Sequence, residues 1–253
     1  VTLDVSPALV SGYLLALARC GAFVAFCPPF NRRAIPRRVR AGLAVALSLA
    51  VGPRLAEQAV PLEAAPLVVS VVGQALAGFV FGAVVNLLFQ AVPAAGSLID
   101  ISGGFAMAQV YDPNTSTTVS LFARFYELVA ITLLLVSDGH LVLVRGLLAS
   151  FEAAPLTVDS LERMPAILRA DVSGLMVAAL QIALPVVAVM FVTDLVLGLL
   201  SKAAPTLNVV LLGVPLKILL TFLIVGTSIV LLGGQVAGLV EMATRSVARL
   251  FGG

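Results

Sequence analysis

Apolar positions along the chain fall into long runs separated by short polar joints, and each run predicts a helix. Pro7 to Cys27 is apolar over about the 20 residues that a helix needs to cross a bilayer, interrupted by Arg19 and ended by Pro28-Pro29, since proline cannot continue the hydrogen-bond ladder. Gly42 to Val51 is too short to span alone, about 15 Å of helix against a core of about 30 Å. Gly52-Pro53 is expected to close it as a half-length or interfacial helix. Leu67 to Ala95 is longer, and Pro93 is expected to break it. Within it Gly78 and Gly82 have the small-xxx-small spacing that lets helices approach closely, while Asn86 and Gln90 put two amides on one face. Ser120 to Val136 carries Arg124 and Glu127 at helical spacing, a pair that can partly neutralise itself but must still face protein or water. After Asp138-Gly139-His140 the apolar pattern resumes from Leu141 to Phe151. Pro155 to Arg169 reads as a polar connector and as the best boundary in the chain.

Two very long runs follow, Val172 to Leu200 and Leu207 to Leu232, joined by Ser201 to Thr206. A joint that short and containing proline predicts an antiparallel helical hairpin. Counted from the tip, Asp194 and Lys217 fall at similar depth, so they either meet or each face a partner subunit. From Gln235 to Phe251 a separate amphipathic helix is expected, with Val236, Leu239, Val240, Ala243, Val247 and Leu250 on one face and Arg245 and Arg249 on another.

One stretch departs from this pattern. Between Asp100 and Val119 lie Gly103, Gly104, Asp112-Pro113 and a run of hydroxyl residues from Thr115 to Thr118. Glycine reaches backbone angles closed to other residues, and Asp-Pro followed by Asn favours turns. Irregular backbone between membrane-grade runs is tolerable only where protein or a water-lined cavity satisfies its polar groups. The insert is therefore a candidate gate, plug or pore lining.

Composition narrows the class. Of 253 residues 60% are hydrophobic and only 11% charged, where a soluble domain carries roughly 25% charged residues. The chain is expected to be an integral membrane or membrane-complex protein. A net charge of +2 is too small to suggest nucleic acid as a partner. Five of the 15 basic residues, Arg32, Arg33, Arg37, Arg38 and Arg40, cluster between Asn31 and Arg40. They read either as a topological determinant held on the cytoplasmic side or as a docking patch for anionic lipid or an acidic partner. Val1-Thr2-Leu3-Asp4 is acidic where a signal peptide would be basic, so the first run is expected to be a membrane helix, and the absence of an initiator Met suggests processing or trimming.

Catalytic and metal-binding patterns are sparse. Cys20 and Cys27 lie two helical turns apart, roughly 10 Å, too far for a disulfide, and read as small buried apolar side chains. The single histidine, His140, excludes a His-rich metal site and, with Asp138, does not make a triad that sequence can support. No phosphate-binding loop, zinc-protease helix or haem motif is present. No cofactor, no metal and no enzymatic activity are expected.

Several stretches together resemble the FliR/SctT family of export-gate membrane proteins of bacterial type III secretion systems. The basic segment leading into Arg37 to Ala50 is similar to the family's Arg-rich entry to a Gly- and Leu-rich helix. Gly103 to Pro113 resembles its Gly-aromatic loop closing in Asp-Pro, Leu135 to Leu156 its Gly-His-Leu element, and Asp194 to Lys217 its hairpin with Ala-Pro-x-Leu-Asn and Gly-x-Pro-Leu-Lys. Met107 departs from the pattern, standing where members often carry an aromatic. The Gly-His-Leu element leans flagellar over injectisome.

The resemblance implies an all-α membrane-complex subunit of bent, hairpin-like helices. It implies a FliP-like part over residues 1–165 and a FliQ-like hairpin and tail over 166–253. It places the chain in the inner membrane at the flagellar basal body, partly above the lipid core. The implied partners are FliP-type and FliQ-type gate subunits, an FlhB-type switch protein, membrane lipid and unfolded export substrates. The implied plug comprises Gly103, Gly104, Phe105, Ala106, Met107, Ala108, Gln109, Val110, Tyr111, Asp112, Pro113 and Asn114. Arg124, Glu127, Asp194, Lys217, Gly78 and Gly82 are candidate contacts between helices or subunits, and the basic cluster is expected on the cytoplasmic side. Two other readings compete with a flagellar gate subunit. One is the injectisome counterpart. The other is a small-solute transporter using Asp194 and the helix broken after Pro93, although no pair of interrupted helices occurs in corresponding halves.

Overall fold

Proline and glycine decide where the helices of this chain start, bend and stop. The computed structural model describes residues 7–32, 34–56, 64–105, 120–152, 158–206 and 208–251, and the regular elements among them are all α-helices. They are α1 (Pro7–Phe26), α2 (Arg37–Ala56), α3 (Ala64–Phe89), α4 (Ala91–Ser102), α5 (Leu121–Val136), α6 (Gly139–Ala149), α7 (Val158–Ala203) and α8 (Val209–Phe251). Four stretches are long and apolar enough to cross a membrane: Pro7–Phe26, Ala64–Ser102, Met164–Ala203 and Leu211–Phe251. The pair α5 and α6 joins them if taken as one broken span, bent by 70° where Asp138 adopts a left-handed φ of 56°. The chain is an all-α membrane protein.

Four expectations about boundaries are corrected. Pro93 does not break the long run at its own position; the turn comes at Gln90, between α3 and α4. A proline ring clashes with the carbonyl four residues earlier, here that of Phe89, so the break precedes the proline by a turn. Pro93 then sits in the first turn of α4, where its missing N–H leaves no bond unmade. The second helix is not half-length: α2 has 20 residues, begins inside the basic cluster and contains Pro53. Its entry is held by Arg40, whose guanidinium donates to Ile35 O and Arg32 O. Pro53 near its far end forfeits only one ladder bond. The polar stretch read as a connector is helical from Val158 onward, as the start of the 46-residue α7. The C-terminal amphipathic stretch is not a separate helix but the end of the 43-residue α8, which runs unbroken through Gly233 and Gly234. Its predicted apolar face is nonetheless the buried one, from Val236 to Leu250, while Arg245 and Arg249 are exposed.

The helices pack as two units. The first comprises Val1–Leu88, Asp138–Val172 and Val240–Gly253; the second comprises Phe89–Ser137 and Ser173–Leu239. In the first, α3 lies against α1 at backbone distance. A Cβ on Gly78 would stand 2.1 Å from Arg19 O, and one on Gly82 would stand 3.0 Å from Phe26 Cβ and 3.1 Å from Cys27 N. Phe23 packs edge-on against Phe81, and Phe26 against Phe79. Cys20 and Cys27 are free and buried, and burial pushes the Cys27 thiol well above its usual range, leaving it an inert apolar filler. In the second unit, α4 and α5 meet where a Cβ on Gly96 would be 2.4 Å from Ala123 Cα. There the antiparallel parts of α7 and α8 form the expected hairpin around Ala204–Thr206. The division at residues 165 and 166 concerns likeness to other subunits, whereas these two units concern packing within the chain.

Candidate functional site at the base of the central insert

Asp100 organises the described ends of the insert. It is 3% exposed, near the end of α4, and acts through both main chain and side chain. The main-chain carbonyl accepts the N–H of Phe105 (3.0 Å) while Ile101 O accepts that of Gly104 (3.4 Å). These two bonds, with Gly104 at φ +83°, make the Schellman termination of a helix, which needs a residue free of a Cβ at the left-handed position. The side-chain Oδ2 accepts the hydroxyl of Ser120 and the N–H of Phe122 (3.0 Å). Ser120 in turn accepts the N–H of Ala123 (3.3 Å) as the N-cap of α5. A carboxylate at a helix N-terminus meets unpaired N–H groups and the positive end of the dipole. One residue thus ends the helix before the insert and begins the helix after it.

Aromatic packing reinforces this base. The Phe105 ring stands edge-on to Phe122 (5.1 Å between centroids) and to Phe222 (5.9 Å), and Phe122 and Phe222 are 5.7 Å apart. Gly103 lets α4 approach α8, since a Cβ there would be 2.6 Å from Thr221 Oγ1. Beside the cluster, Leu121, Phe122, Phe125, Phe222, Val225, Gly226 and Ile229 line an apolar cleft of about 240 Å³. Tyr126 OH shares a hydrogen bond with Ser228 Oγ at 2.7 Å, satisfying two hydroxyls between α5 and α8.

Of the predicted plug residues, Gly103, Gly104 and Phe105 occupy this base; Ala106, Met107, Ala108, Gln109, Val110, Tyr111, Asp112, Pro113 and Asn114 lie outside the described residues. Elsewhere, Lys217 Nζ stands 2.5 Å from Asp194 Oδ1, so the structure brings these two together across the hairpin. Arg124 is exposed and Glu127 half-buried on α5. Arg37 and Arg38 are exposed in the first turn of α2, Arg32 and Arg40 are half-buried, and Arg33 lies outside the described residues. Among the described residues no group of three or more His, Cys, Asp or Glu side chains is arranged to hold a metal ion.

Sequence reasoning overlooked Asp100 and Ser120 as partners. Both carried a signal: a lone carboxylate inside an apolar run needs a donor, and serine directly before an apolar run is a preferred N-cap. In the sequence Arg19 reads only as an interruption of its apolar run. It is 3% exposed, and its Nη1 donates to Ser150 O (2.5 Å) and Ser150 Oγ (3.2 Å).

Comparison with known proteins agrees with the membrane helices. A family model described as "Bacterial export proteins, family 1" matches residues 10–243. The chain is 32% identical over 218 residues to the flagellar biosynthetic protein FliR of Pectobacterium carotovorum, covering 86% of this chain and 84% of that protein. It is 30% identical over 228 residues to FliR of Bacillus subtilis, covering 87% and 85%. The surface presentation of antigens protein SpaR of Salmonella typhimurium is 25% identical over 209 residues, covering 83% and 79%. A match that spans nearly all the described helices, rather than one hairpin, identifies the whole chain: it belongs to the bacterial export proteins of family 1, the FliR family.

Proposed function

We propose that this chain is a non-enzymatic subunit of the flagellar type III export gate, lining and plugging the pore through which unfolded flagellar proteins leave the cell. Membership of the family makes it a component of a type III export apparatus, and its apolar helices suit the bacterial inner membrane. The finer reading is that the insert from Gly103 to Thr118 is the plug. FliP-type and FliQ-type subunits surround it, and an FlhB-type protein docks on the cytoplasmic side near the basic cluster. Part of the assembly stands above the lipid core. Residues 1–165 are the FliP-like part and 166–253 the FliQ-like part. The 30–32% identity to the FliR proteins of Pectobacterium carotovorum and Bacillus subtilis, against 25% to SpaR, favours the flagellar over the injectisome system.

The observation that carries the plug reading is the double grip of Asp100. A polar, turn-rich insert between apolar helices is sustained by a base in which both its stems are hydrogen-bonded and sealed by aromatic rings. That is the construction expected of a loop held at a fixed place on a gate rather than of a slack connection.

Deleting residues 106–117 while keeping Phe105 and Ser120 tests it. The expected result is a complex that assembles at normal yield but leaks ions or small molecules across the inner membrane. Unchanged permeability together with unchanged motility would remove the plug assignment.

A further inference from the structure

Arg19 is a permanent cation whose partners among the described residues are all neutral. It lies seven residues from the end of the 20-residue α1, about 10 Å of helix inside the apolar run. The guanidinium keeps its charge under all ordinary conditions and offers five N–H donors. Among the described residues its hydrogen bonds are the two from Nη1 to Ser150. Its remaining support is the faces of Phe151 and Phe251, with Cζ 4.4 Å and 5.8 Å from the ring centroids. Nε is buried without an acceptor. Two described carboxylates of the same unit are engaged with other groups: Asp171 accepts from Ser246, and Glu241 pairs with Arg245. A buried charge without a counter-ion is costly, and in a membrane protein such a residue faces a partner or a water-filled space.

Next to it is an opening. A cleft of about 280 Å³ is lined by Phe81, Gly146, Ser150, Thr244, Val247 and Phe251. Two of these, Ser150 and Phe251, are among the residues that hold the guanidinium, with Phe151 beside them. Gly146 widens the cleft, since a Cβ there would already be 3.0 Å from Phe81 Cζ. We infer that Arg19 pairs with an Asp or Glu carboxylate delivered through this cleft by a neighbouring polypeptide of the assembly, a pairing that presupposes the multi-subunit gate proposed above. A protein carboxylate is favoured over a lipid phosphate because Arg19 stands about 10 Å inside a helix of membrane-crossing length and composition, whereas headgroups gather at the ends of such a helix.

The test uses the whole chain in its native membrane. A photo-reactive benzoylphenylalanine at Thr244 should cross-link a neighbouring polypeptide at a segment containing Asp or Glu. Neutralising that carboxylate should lower the yield of detergent-extracted complex about tenfold. Arg19→Gln should do the same, the two together should cost no more than either alone, and Arg19→Lys should restore most of the yield. Because the probe at Thr244 acts in the presence of Arg19, a folding failure of Arg19→Gln leaves that arm intact. A lipid adduct, no polypeptide adduct, or losses that add rather than coincide overturn the pairing. If wild-type chain extracts with no neighbours at all, the gate reading fails with it. If neighbours come down but nothing cross-links in the cleft, only the pairing fails.

Discussion

The seam between α1 and α3 and the hairpin of α7 and α8 use the same small and charged residue types in opposite ways. In the seam, glycine is demanded by contact, since Gly78 and Gly82 meet the backbone or Cβ atoms of α1 directly. In the hairpin, Gly198 and Gly226 meet nothing within 4 Å. The charge in the seam, Arg19, is buried among neutral groups, whereas Asp194 and Lys217 pair with each other at 54% and 19% side-chain exposure. Large apolar side chains on the hairpin arms, among them Phe191, Leu199, Leu211 and Leu223, are more than half exposed. In the first region the two helices meet at backbone distance along the glycine face, although the outer faces, with Val69 and Leu76 among them, are exposed there as well. The second presents a surface that only lipid or another protein can cover.

The sharpest way to break this comparison is a matched pair of glycine substitutions. Gly78→Val forces a branched side chain against a main-chain carbonyl that cannot move aside, so a loss of about 3 kcal/mol or more is expected. Gly198→Ala in the hairpin should be neutral or stabilise by up to about 1 kcal/mol through helix propensity. Thermal unfolding in detergent reads both, and similar midpoints for the two variants would erase the distinction. A smaller effect is expected at the base of the insert. Asp100→Ala leaves Phe122 N–H and the Ser120 hydroxyl without their acceptor, a cost of about 1–3 kcal/mol. It should appear as faster proteolysis between Phe105 and Ser120, with the remaining helices still resistant; wild-type cleavage rates would show that the grip is dispensable. The smallest effect on the chain itself is at the exposed ion pair. Asp194→Lys should cost at most about 1 kcal/mol of stability yet lower the yield of assembled complex several-fold. Normal yield would make the hairpin pair incidental.

Much of the helical layout was legible because apolar run length is a direct consequence of bilayer thickness. Errors came where one residue type has two meanings. Proline signals a break, but Pro93 acts on the carbonyl of Phe89 and so displaces the turn to Gln90. Charged residues signal a surface connector, but from Val158 they decorate a helix. A glycine pair signals a stop, and Gly233-Gly234 does not stop α8, whose flanks are apolar and continuous. At the site, Gly103 and Gly104 stood out from composition alone. The acceptor that makes sense of them was hidden, because Asp100 finds Ser120 and Phe122 only after the chain has folded back by some 20 residues. Likewise Ser150, which accepts from Arg19, is 131 residues distant, beyond any periodicity argument.

Because one carboxylate fixes the span between the two stems, the geometry of α4 and α5 is decoupled from the length of what lies between them. The entropic cost of closing a chain segment rises only logarithmically, roughly 0.6 kcal/mol for each doubling. An insertion of a different length could therefore join the same two helices without disturbing their register.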